Sequence, residues 1–172
     1  MTRIRDPLHG TVHLTDLEEK MLDAQPMQRL RGIRQLAMAY LVYPGANHTR
    51  FEHSIGTLAL AGKMCEELGI GEDRAAKVRA AALLHDVGHV AFSHESEQVI
   101  MRKLGTHEEV GKRIITKGEI ADILSESFSA REIAKLPDKP LGQIIASDIG
   151  ADRKDYLLRD SHYTGVDYGI VD

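Results

Sequence analysis

The chain has 172 residues, enough for one domain with a sizeable core, and its 42% hydrophobic and 28% charged content is that of a globular protein. A formal net charge of −4 argues against a nucleic-acid coat or a polybasic membrane binder, and no apolar stretch approaches the ~20 residues that cross a bilayer. The single cysteine, Cys65, excludes an intrachain disulfide and a multi-cysteine zinc site; MTRIRDPLHG lacks the apolar centre of a secretory signal, so the cytoplasm is the expected compartment.

In RIRDPLHGTVHL (3–14), Pro7 and Gly10 mark a turn, and the alternation after it marks a short strand. Thr15, with Glu18 three residues on, forms a capping box that starts a helix through TDLEEKMLDA. Pro26 belongs in the first turn of the next helix, PMQRLRGIRQL. AYLVYPGANHTR is β-branched and aromatic until Pro44 and Gly45, and reads as extended chain and loop. From Arg50 to Leu68 apolar residues recur at helical spacing, and Glu72 to Val87 forms a second long helix, rich enough in alanine to pack closely. Thr106 and Glu109 make another capping box before HEEVGKRIIT. Helical stretches follow in EIADILSESF, AREIAKL and LGQIIASDIGADRKDYLLRDS, the last interrupted at Gly150. There is no internal repeat and no linker. The fold class is mainly α, with a short β element near the N-terminus.

The chemistry concentrates in histidines, nine beside three Phe and no Trp, seven of them grouped at 9 and 13, 48 and 53, and 85, 89 and 94. In LLHDVGHVAFSH a core-like helix runs straight into His85 and Asp86. Neighbouring helix residues diverge by about 100°, so one core face cannot absorb both. Either one points elsewhere, or both converge at a helix end that Gly88 would supply. An isolated His–Asp pair is ordinarily a buried histidine hydrogen-bonded to an acid. The other way to stabilise it is a divalent ion, with imidazole nitrogen and carboxylate oxygen as ligands. HTRFEHS puts Arg50, Glu52 and His53 at the start of the preceding helix. Were the helix to run unbroken through Gly150, Asp148, Asp152, Tyr156 and Asp160 would share one face. That stripe is either a solvated face or, with Leu157 and Leu158 beside it, the border of a cleft.

The blocks RDPLHG, QRLRGIRQL, YPGANHTRFEHSIG, LLHDVGHVAFSH and DRKDYLLRDS, in this order, resemble the HD-domain phosphohydrolases, and within them the deoxynucleoside triphosphate triphosphohydrolases. The resemblance implies an HD-domain helical bundle holding one divalent ion on His53, His85, Asp86 and Asp152. Two imidazoles and two carboxylates without thiolate suit Fe, Mn, Zn, Ni or Mg. The implied reaction is metal-assisted attack at the α-phosphate of a deoxynucleoside triphosphate, releasing triphosphate and deoxynucleoside. His94 and His107 match the family's further active-site histidines and His89 is a nearer candidate; an imidazole suits protonation of the leaving 5′-oxygen. Arg50 matches a phosphate-contacting arginine. Tyr156 and Asp160 match positions facing the sugar, and Gln35 and Leu36 align with residues beside sugar and base. Arg153 stands where a relative carries lysine and keeps the charge for phosphate.

Several of these residues also have plainer readings. Arg50 can pair with Glu52 or Asp16, His107 can be a surface residue of a first helical turn, and Tyr156 a core-edge residue. His9, His13 and His48 are expected to be structural. The expected partners are a nucleotide substrate and further copies of the chain, with neither membrane nor nucleic acid. Residues 1–172 form a single HD domain in this reading, lacking the C-terminal helical part of longer relatives, either as a minimal version or as a fragment. Two rivals stand beside it. One is a phosphohydrolase of the same fold acting on nucleoside monophosphates or on cyclic or signalling nucleotides. The other is a non-catalytic nucleotide-binding regulatory subunit.

Overall fold

A computed structural model describes residues 2–92, 96 and 102–168. The chain opens with a hairpin: β1 (Thr2–Asp6) pairs antiparallel with β2 (Gly10–Leu14), Thr2 opposite Leu14 and Asp6 opposite Gly10. The segment before Pro7 is thus itself a strand, where the sequence pointed only to the second. Asp6 closes the turn by accepting the backbone N–H groups of Leu8 and His9 on Oδ1, both at 2.9 Å. Gly10 takes a left-handed φ of +74° as the chain re-enters the ladder.

Helix α1 (Asp16–Asp23) starts on the Thr15–Glu18 capping box. Helix α2 (Gln25–Gln28), with Pro26 in its first turn, tightens into a 3₁₀ turn over Arg29–Gly32 and stops, well short of the helix expected through PMQRLRGIRQL. The reason is non-local. Ile33 turns extended, its carbonyl accepts from Arg50 N at 2.9 Å, and Gln35 N donates to His48 O at 3.0 Å. An isolated bridge between Arg34 and Thr49 results, and it ties this turn to the start of the next long helix. The stretch read as extended chain, from Ala39, instead makes a 3₁₀ turn (Ala39–Leu41) followed by turns.

Helix α3 (Arg50–Glu67) carries its own capping box, Thr49 with Glu52. Helix α4 (Glu72–Leu84) follows, then α5 (His107–Thr116) on the Thr106–Glu109 box, α6 (Glu119–Leu124) and α7 (Ala130–Ala134). A 3₁₀ turn (Pro140–Ile144) leads to α8 (Ala151–Thr164), capped by Gly150 and stopped by left-handed Gly165. Helix α3 is the centre, packing on α4, α8, β1 and the 3₁₀ turns at Arg29–Gly32 and Pro140–Ile144. Leu14, Met21, Met27, Leu30, Leu58, Leu83, Leu84 and Ile145 fill the fully buried core. The architecture is a mainly helical bundle with a two-stranded sheet at its N-terminus, and no helix of the described residues is long and apolar enough to cross a membrane.

Two boundaries differ from expectation and matter for chemistry. Helix α4 ends at Leu84 rather than Val87, so His85 and Asp86 sit in the turns that follow. Helix α8 starts at Ala151, leaving Asp148 outside the polar stripe.

Helices α3 and α8 pack closely at Gly56, where an added Cβ would overlap Asp155 Oδ1 and Arg159 Nη2. Gly56→Ala is therefore expected to destabilise the fold by about 1–3 kcal/mol, the usual cost of overpacking a tight interior. A denaturant midpoint equal to that of the unchanged chain would contradict this packing.

Candidate metal centre

Three element ends converge on one point. His53 lies in the opening turns of α3, His85 immediately after α4, and Asp152 in the first turn of α8. Their donor atoms all lie within 4.8 Å of one another. His53 Nε2 is 3.2 Å from His85 Nε2 and 3.1 Å from Asp152 Oδ1, and His85 Nε2 is 3.6 Å from the same oxygen.

Both rings are pinned from behind. His53 Nδ1 lies 2.7 Å from Asp155 Oδ2, and His85 Nδ1 lies 2.8 Å from the Ala82 carbonyl. Carboxylate and carbonyl oxygens only accept, so each Nδ1 carries the hydrogen. In neutral rings the two Nε2 atoms then present lone pairs to each other, which repel unless a proton or a metal cation lies between them. A divalent ion bound at about 2.0–2.2 Å holds neighbouring donors about 3.0–3.6 Å apart, the spacing of this set. The residues fit a metal.

The electrostatics demand positive charge here. Burial opposes ionisation of His53, but hydrogen bonds to Asp152 and Asp155 and the charges of Asp155 and Asp86 outweigh it and push its pKa up to about 10. His85 is raised too: Asp86 and Asp152 prevail over burial. Asp152 is held well below the usual carboxylate range, since its bonds to His53 and His85 overcome desolvation.

Asp86 stands at the edge of the set, Oδ1 3.4 Å from His85 Nε2 and Oδ2 3.8 Å from His53 Nε2. Buried Arg50 donates its Nη1 to Asp86 Oδ2, rather than making the pairing with Glu52 expected of a surface arginine; Glu52 accepts from Thr49 in the capping box. His89 Nε2 lies 3.3 Å from Asp86 Oδ1. Burial lowers the His89 pKa to about 4, further than its bond to Asp86 can restore. Behind these residues Arg29 donates to the carbonyls of Val87 and His89, at 2.7 and 2.6 Å, and fixes the turn. Gly88 lets α5 close in, because a Cβ there would overlap His107 O and Gly111 N. His107 thereby stacks on His89 with centroids 4.1 Å apart.

The HD domain family pattern matches residues 50–159. The chain belongs to the HD-domain family. It is similar to an uncharacterized protein of Methanocaldococcus jannaschii, 44% identical over 100% of this chain and 36% of the relative. It is also similar to the bovine deoxynucleoside triphosphate triphosphohydrolase SAMHD1, 30% identical over 96% of this chain and 36% of the relative. Among solved structures, a phosphohydrolase from Bacteroides thetaiotaomicron superposes with a TM-score of 0.84 at 34% identity, covering 96% of this chain and 42% of that one. The chain thus spans less than half the length of these relatives.

Arg153 and Tyr156 line a cleft of about 790 Å³ that Asp152 borders, and exposed Arg153 pairs with Asp148 Oδ1 at 2.7 Å. A narrower cavity of about 220 Å³ reaches His85, Asp86, Asp152 and His107 from the α5–α7 side. Gln35 and Leu36 occupy the turn that follows Arg34, and Gln35 Oε1 is buried without a hydrogen-bond partner. Asp160 is buried, its Oδ1 2.7 Å from His48 Nε2. His94 lies outside the described residues. Sequence reasoning missed Asp155 and Arg159, both wholly buried in the DYLLRD block, and the reach of His9 to Asp155. The signal available was that His9 and Asp155 each fall within one of the five blocks, RDPLHG and DRKDYLLRDS.

Metal uptake must displace the proton that His53 holds up to about pH 10, so affinity rises with pH below that value, by up to tenfold per unit for each proton released. Calorimetric titration with Mn²⁺ at pH 7.5, in buffers of different ionisation enthalpy, is expected to show about one proton released per ion. Binding without proton release would contradict the assignment of His53.

Proposed function

We propose that the chain is a metal-dependent phosphohydrolase cleaving deoxynucleoside triphosphates to deoxynucleoside and triphosphate, with one divalent ion on His53, His85, Asp152 and Asp86. The observation that carries the reading is the pair of Nε2 atoms facing each other at 3.2 Å with Asp152 Oδ1 at 3.1 Å. Membership of the HD-domain family supports the reaction type, and the likeness to SAMHD1 supports the substrate class.

An ion held there supplies a Lewis acid for phosphate oxygen and lowers the pKa of water. The chain's own groups do the rest. Arg50, fixed on Asp86, offers a planar permanent charge at the edge of the ligand set for the phosphate. Arg153, exposed beside the cleft, exchanges Asp148 for the outer phosphates at little cost, because a surface ion pair contributes only about 0–1 kcal/mol. Tyr156 walls the same cleft against the sugar. Asp160, held by His48, stands one turn further along α8. Gln35 and Leu36 are assigned to the sugar and base by the family resemblance alone.

His89 is neutral at pH 7 and serves Asp86 as a hydrogen-bond donor. Proton delivery to the leaving oxygen is assigned to His107, which lines the cavity beside His85 and Asp86, with His94 and His89 as the further candidates.

Purified chain loaded with Mn²⁺ should convert deoxynucleoside triphosphates to deoxynucleoside and inorganic triphosphate, resolved by phosphorus NMR. Phosphate released from monophosphates or cyclic nucleotides would replace the substrate reading and leave the metal centre standing. Tight nucleotide binding without turnover would make the chain a regulatory subunit. Asp152→Ala should lose its bound ion and at least about 100-fold in kcat, the scale of removing one preorganised electrostatic group. Unchanged turnover in metal-free Asp152→Ala would refute the mechanism.

A further inference from the structure

Asp155 receives a hydrogen-bond donor at every lone pair. Oδ2 accepts from His53 Nδ1 at 2.7 Å and Arg159 Nε at 2.9 Å; Oδ1 accepts from His9 Nε2 at 2.6 Å and Arg159 Nη2 at 2.9 Å. A carboxylate offers about four acceptor sites, so the group is saturated. Arg159 Nη2 also reaches Asp6 Oδ2 at 3.0 Å. Asp6 uses its other oxygen to hold the backbone N–H of His9. The hairpin turn, the second turn of α8 and the back of His53 thus form one closed buried loop of hydrogen bonds.

We infer that Asp155 and the hairpin residue His9 are positioning residues of the metal centre: Asp155 fixes the ring and tautomer of His53, and His9, from 146 residues away in sequence, holds Asp155 in place. The inference rests on the metal-centre reading above. Its physical basis is geometric. Only an acceptor behind Nδ1 keeps the hydrogen there and leaves the Nε2 lone pair for an ion, and such outer partners govern ligand orientation and basicity. Arg159 grips both oxygens from one side. His9 supplies the remaining donor to Oδ1, so the carboxylate plane is defined from both ends of the group.

The saturation makes an isosteric test sharp. In Asp155→Asn, one rotamer sets the amide N–H₂ against the donors of His53 and Arg159, the other against those of His9 and Arg159. The first rotamer turns His53 over to the tautomer with hydrogen on Nε2. Either one removes the negative charge behind the ring.

Co²⁺ binding to the whole chain, followed by its visible absorption spectrum and by competition with a chelator, separates the outcomes, with circular dichroism verifying that each metal-free variant is folded. Asp155→Asn is expected to weaken Co²⁺ by about 10–100-fold and to alter the spectrum. His9→Leu shifts both in the same direction, and His9→Gln, which places an amide donor near the position of Nε2, returns both towards the unchanged chain. If Asp155→Asn fails to fold, the His9 pair decides alone. Folded Asp155→Asn and His9→Leu with unaltered Co²⁺ affinity and spectrum would overturn the inference while the metal centre stands. An unchanged chain that binds no Co²⁺ would overturn the metal centre and the inference with it.

Discussion

Two imidazole nitrogens that face each other with their outer N–H groups already committed set the terms for the rest of the molecule. A buried pair of opposed lone pairs is tolerable only with a proton or a metal cation between them. The fold brings that pair together by ending elements rather than by facing helices. The N-termini of α3 and α8 and the C-terminus of α4 meet at the site. Two helix N-termini pointing at one place favour carboxylates such as Asp152 and, beyond them, anionic substrate groups. The end of α4 is held by Arg29, which takes up the carbonyls of Val87 and His89 and prevents the chain from fraying away from the ion site.

The scaffold behind the site is made of charge rather than hydrocarbon. In α8 the buried positions are Ala151, Asp155, Arg159 and Asp160, while Leu157 and Leu158 are only half-buried. Burying Asp6, Asp155 and Arg159 together is costly in desolvation and favourable only while every partner remains, since removing one leaves an unpaired charge in a low-dielectric interior. Such a network does not serve stability as well as an apolar core would. What it supplies is a fixed direction for His53, which a Leu or Phe in place of Asp155 cannot provide.

Much of this was legible in the sequence. The Thr15–Glu18 and Thr106–Glu109 boxes start helices as expected, because capping is decided within four residues. The candidate ligands His53, His85 and Asp152 lie together, on the strength of the family resemblance rather than of spacing. Spacing alone pointed to the stripe at 148, 152, 156 and 160, and it could not show that Asp155 and Arg159, one step off that stripe, turn inward. That depends on Gly56 admitting α8 against α3, a contact between distant segments. The same holds for His9, whose partner is 146 residues away, and for Arg50, which finds Asp86 rather than its neighbour Glu52. The helix through PMQRLRGIRQL stops early for a similar reason: pairing of Ile33 and Gln35 with His48 and Arg50 outweighs local helix propensity.

The central claim is tested most directly by a crystal structure of the chain grown with Mn²⁺, using anomalous scattering to locate the metal. One peak within bonding distance of His53 Nε2, His85 Nε2 and an Asp152 oxygen is the result this account predicts. An empty centre at saturating Mn²⁺, with the two imidazoles turned away from each other, would contradict it.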